Sequence, residues 1–93
     1  MIDRNTIVNR SPGLQAARVS DNEMVILGHD SEHYLGIDES GMAIWDQLDE
    51  AKSIGEIIDS MGALYDADNK VIEKDVLVFV ERLLNEGVLQ TRD

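Results

Sequence analysis

The spacing of apolar residues changes once along this chain, at Asp38, and that change constrains the fold more than any other feature. Before it, residues 24–28 (Met-Val-Ile-Leu-Gly) are nearly continuous in apolar side chains, as a buried strand is. Residues 14–19 form a weaker strand pattern and residues 33–37 a third, short one. The polar stretches 20–23 and 29–32 join them as turns. Three strands joined by tight turns predict an antiparallel meander.

After Asp38 the apolar period lengthens to about 3.6, the repeat of a helix. Asp38 stands where an N-cap belongs, ahead of Met42, Ile44, Trp45 and Leu48. Ser53 opens a second helix, and Glu56 three residues later completes a capping box. Ile54, Ile57, Ile58, Met61, Leu64 and Tyr65 form its apolar stripe. The polar stretch 66–69 is a loop, residues 72–85 a third helix, and Gly87 its left-handed terminator. The expectation is an α+β domain, a three-stranded antiparallel sheet followed by three helices, over residues 14–89. Ser11-Pro12-Gly13 marks a turn, so residues 1–13 read as a flexible N-terminal arm and residues 90–93 as a tail.

Charge narrows the partners. Nineteen acids against eight bases give a net charge of −11 over 93 residues. Such a surface repels phosphates and anionic headgroups, which argues against nucleic acid and membrane, and it favours cationic partners. There is no cysteine, hence no disulfide, thiolate metal site or thiol nucleophile. No signal-like apolar segment opens the chain, and no apolar run is long enough to span a bilayer. A cytoplasmic protein is expected.

Catalytic patterns are lacking. His29 and His33 flank a turn with Asp30, Ser31 and Glu32, but no third ligand set accompanies them. A solvated turn is the stronger reading, with no metal or triad assigned. Gly36 and Gly41 lack the spacing and the following lysine of a phosphate loop. The expectation is no enzyme, no metal and no cofactor.

Two features are left open by spacing alone. On the third helix, Phe79, Ile72 and Leu83 lie to one side of Val76, and Leu77, Val80 and Leu84 to the other. Together they span roughly 160°, wider than the ~100° stripe of an ordinary surface helix. Val78 stands alone on the opposite face. Deep burial, or a homodimer contact, accounts for the width; so does a groove along Leu77, Val80 and Leu84 that another molecule fills. The third strand is likewise an edge that is either short and protected or a rail for an extended peptide. Leu35 and Ile37 are assigned to the core, Tyr34 and Gly36 to the other face, where Gly36 lets a partner approach.

The run from Tyr34 to Trp45 (YLGIDESGMAIW) resembles the signature of PqqD-like proteins, the recognition elements of ribosomally made, modified peptides. Ser53-Ile54-Gly55-Glu56-Ile57-Ile58 is similar to the family's second-helix start. Asp75-Val76, Phe79, Leu83, Leu84 and Gly87-Val88-Leu89 resemble its last helix and tail. The sequence departs from the PqqD pattern at Gly41 and Trp45, where alanine and a smaller apolar residue are expected. The resemblance implies a winged-helix-like fold without catalysis of its own. It implies that a precursor's leader peptide adds as an antiparallel strand to His33, Tyr34, Leu35, Gly36 and Ile37. The leader's apolar side chains would rest beside Leu77, Val80, Glu81 and Leu84. It further implies the partners of lasso-peptide biosynthesis, a leader-removing cysteine protease and a macrolactam synthetase, with the chaperone of the pyrroloquinoline quinone precursor as the alternative. A winged-helix DNA-binding regulator is a third reading, opposed by the charge. A monomer or weak dimer is expected.

Overall fold

A computed structural model describes residues 2–27 and 34–92. The polar turn 29–32, Gly28 and His33 lie outside the described residues. The expected meander is present as β2 (Gln15–Ser20), β3 (Glu23–Leu27) and β4 (Tyr34–Ile37), antiparallel throughout and ordered β2-β3-β4. Met24 and Ile26 of β3 turn into the core, opposite Ile37 and Leu35 of β4.

The three helices follow. α1 (Glu39–Asp46) is capped by Asp38, whose carboxylate accepts from the Gly41 N–H at 2.9 Å. A 3₁₀ turn (Gln47–Asp49) ends it and buries Leu48. α2 (Ile54–Leu64) starts on the capping box expected from the sequence. Ser53 Oγ accepts from the Glu56 N–H at 3.2 Å, and Glu56 accepts from the Ser53 N–H at 3.1 Å. α3 (Asn69–Asn85) begins three residues earlier than its apolar stripe, because Asp68 caps it by accepting from the Lys70 N–H at 2.7 Å. Gly87, at φ 77°, takes the left-handed conformation that releases the chain from α3.

The backbone and hydroxyl hydrogen bonds from Ser53 hold the Glu56 carboxyl below the usual carboxylate range. A depressed folded-state value means that Glu56 stabilises the fold above its unfolded pKa of about 4.3 and stops doing so as pH falls through the folded value. Ser53→Ala should therefore lower the stability by about 1 kcal/mol at neutral pH. The gap between variant and parent should shrink at acid pH, as Glu56 protonates on passing through its lowered folded-state value. Urea melts at the two pH values would show this; an unchanged gap would mean that the hydroxyl cap acts without its acidic partner.

The ends of the chain differ from expectation. Residues 7–10 are not a loose arm but β1 (Ile7–Arg10), the centre of a second sheet ordered β5-β1-β6. β5 is the pair Lys52–Ser53, and β6 (Leu89–Arg92) takes up most of the supposed tail. Val8 drives this, being fully buried, and Leu89 is 3% exposed beside it. A four-residue strand with one inward apolar side chain carries too little periodicity to stand out before its partners are known. Arg4 extends the clasp, pairing with Glu73 of α3 at 2.8 Å and Asp59 of α2 at 3.2 Å. Arg10 lies over the buried Trp45 ring, 4.5 Å from its centre, and donates to the Trp45 carbonyl.

Candidate functional site

β4 pairs with β3 on one side only, so among the described residues its other edge is free. Unpaired N–H and C=O groups along such an edge are a template for another strand. Ile37 is buried and Leu35 half-buried, while Tyr34 is 72% exposed and Gly36 faces outward with it. A Cβ built on Gly36 would meet nothing within 4 Å. The space in front of β4 is therefore empty at the position where the side chain is smallest.

Across that space stands α3. A groove of about 530 Å³ runs between Gly36, Ile37, Asp38 and Ser40 on one wall and Lys74, Asp75, Val78, Phe79 and Arg82 on the other. It continues into an apolar cavity of about 230 Å³, walled by Met61 and Tyr65 of the α2 end and by Val71, Ile72 and Val76 of α3. Ser40, Asp75 and Phe79 belong to both. Gly41 is the hinge of this arrangement. A Cβ there would strike the Ile37 side chain and come within 2.8 Å of the Phe79 ring, so its absence lets β4, α1 and α3 close on one another.

The strand expected to serve as a rail is present from Tyr34 to Ile37 with its outer edge unpaired, and His33 lies outside the described residues. The expected helix margin is not where the groove lies. Val80 is fully buried, and Leu77 and Leu84 are half-buried against the core. Glu81 is exposed but outside the groove lining. That side of α3 is the one carrying Glu73, which the N-terminal segment claims through Arg4. α3 instead turns its Phe79 margin toward β4, extended by Val71 and Val78, which are 53% and 60% exposed. These two valines are seven residues apart, two turns of one face. That spacing, added to Phe79, is the signal that marks the open side.

The site offers shape, apolar surface and a backbone edge rather than reactive groups. Among the described residues no three metal-ligating side chains are grouped, and no helix is long and apolar enough to cross a membrane.

A three-stranded sheet whose β4 edge is unpaired among the described residues and faces the last of three helices across a groove defines a small peptide-recognition architecture. Residues 23–89 match the family described as Coenzyme PQQ synthesis protein D (PqqD), and the chain belongs to that family. It is similar to TbiB1, solved in complex with the TbiA(beta) leader peptide, at 32% identity and a TM-score of 0.79, covering 91% of this chain and 98% of that one. It also shares the fold of the PqqD part of Methylobacterium extorquens PqqCD, a stand-alone recognition element for ribosomally synthesized and post-translationally modified peptides. There the identity is 22% and the TM-score 0.80, over 97% of this chain and 95% of that one. No curated protein matches the chain.

Proposed function

We propose that this protein is a non-catalytic adaptor that binds the leader segment of a ribosomally made precursor peptide. The leader pairs with the free edge of β4 and lays its alternate apolar side chains against Phe79 and Val78 of α3. The open edge at Gly36, with Val78 and Phe79 of α3 across the groove, carries this reading. TbiB1, which holds a leader peptide, supports it by likeness over nearly the whole of both chains. The same likeness favours lasso-peptide maturation, in which the bound precursor is presented to a leader-removing cysteine protease and a macrolactam synthetase. The family's description keeps a quinone-cofactor precursor as the second reading.

Calorimetry with synthetic leader peptides tests both. A leader from a lasso precursor encoded beside this gene should bind with sub-micromolar to micromolar affinity, since a few buried apolar side chains offset the cost of ordering the strand. Tighter binding of the quinone-precursor peptide would transfer the protein to the second reading. No heat from either peptide at micromolar protein would refute leader recognition.

A further inference from the structure

The groove has a direction, and charge marks it. From the apolar cavity toward Gly36, the α3 wall passes from Val71 through Asp75 to Arg82, while the other wall runs back from Ser40 to Gly36. α3 and β4 therefore run in opposite senses along the groove. A strand pairing antiparallel with β4, the pairing used throughout this sheet and the more stable per residue, runs parallel to α3. Its N-terminal flank reaches the cavity end and its C-terminal flank the Arg82 end.

The two ends differ in sign. Asp75, exposed, stands where the groove meets the cavity, with the exposed Asp38 on the facing wall two residues from Ser40, against Lys74 alone. Asp66 and Asp68 follow Tyr65 on the loop bordering that cavity. At the other end Arg82 is the groove's charged group, with Glu86 one turn beyond the lining. Asp75 and Arg82 are seven residues apart on one helix, about 10 Å of rise. That exceeds the ~8 Å screening length at physiological salt, so a bound strand meets the two ends as separate fields.

We infer that the groove selects its strand by charge direction: a basic residue on the N-terminal flank, beside Asp38 and Asp75, and an acidic one on the C-terminal flank, beside Arg82. This rests on the leader-binding reading and specifies the peptide class it accepts. Strand residues on one face recur every ~6.7 Å, so the 10 Å separation, plus the reach of a lysine, places the base and the acid four residues apart. The net charge of −11 adds attraction for a basic flank at the encounter stage.

Selection of a displayed library of random twelve-residue peptides on the full chain tests this. The expected winners carry Lys or Arg four residues ahead of Asp or Glu, with apolar residues between. A synthetic winner should bind about three- to ten-fold more tightly than its charge-exchanged counterpart at low salt. The ratio should fall below about two-fold at 1 M salt, where the screening length is ~3 Å. Asp75→Lys combined with Arg82→Glu, both at exposed positions, should reverse the preference. Winners without charge order, or an unreversed preference in the double variant, would overturn the direction while leaving strand recognition standing. No enrichment at all would remove the leader-binding reading, and this inference with it.

Discussion

Replacing Gly41 by alanine should destabilise the fold by about 0.5–2 kcal/mol and narrow the groove at the same time. Two effects oppose each other at this position. Gly41 lies in the first turn of α1, where alanine is the better helix former by up to about 1 kcal/mol. Against this, the new methyl would overlap Ile37 and approach the Phe79 ring to 2.8 Å. Overfilling a packed site costs about 1–3 kcal/mol, so the clash outweighs the propensity. The two neighbours respond differently. Ile37 is 3% exposed and belongs to β4, so its branch moves only if the strand moves. Phe79 is half-buried, and its ring tip has the groove in front of it. The ring should swing outward, into the space a bound strand needs. Thermal melting should show a midpoint several degrees lower, and leader titration a weaker complex. Adding Phe79→Leu, which shortens the clashing side chain, should recover part of the stability. A Gly41→Ala protein as stable as the parent would show that α1 can shift away from β4 at no cost.

This contact also explains a departure visible in the sequence. The PqqD pattern leads one to expect alanine at position 41, and the glycine there departs from it. The Phe79 ring occupies the volume an alanine methyl would fill. Such a pairing joins residues 38 positions apart and leaves no trace in local period.

Local chemistry made much of the molecule readable. Asp38, Ser53 with Glu56, and Gly87 announced helix ends because each works within four residues of itself. The meander was readable because β3 is strongly apolar and the turn from β2 into it is short. The second sheet was not, because β1 acquires its meaning from β6, about eighty residues away, and from the burial of Val8. The same long-range closure decided which margin of α3 is free. The width of the helix stripe alone leaves deep burial and a groove both open. Setting aside the Leu77–Val80–Leu84 side requires knowing that Arg4 returns to Glu73 and that the core takes Val80 completely. A wide stripe has two margins, and only the packing of the chain ends tells them apart.

Gly36→Val should separate binding from folding more cleanly than any change on α3. The strand gains from the substitution, because valine suits an extended, half-exposed position and glycine does not. The added side chain meets no atom of this protein, since nothing lies within 4 Å of the Cβ site. Stability should therefore be unchanged or up to about 1 kcal/mol higher. The branched side chain would, however, stand at the edge of the groove, at the point where an incoming backbone must come close to β4. Leader affinity should drop by at least ten-fold, about 1.4 kcal/mol, through lost hydrogen bonds along the edge and lost contact with α3. Val78→Asp provides the complementary test on the opposite wall. Val78 is 60% exposed, so the fold loses little, while an apolar leader side chain meets a carboxylate. Calorimetric titration of both variants, with melting curves run in parallel, gives the decisive comparison. If Gly36→Val melts like the parent and still binds the leader with parental affinity, the peptide does not lie along β4. If it binds weakly only because it melts early, the glycine serves the strand rather than the partner.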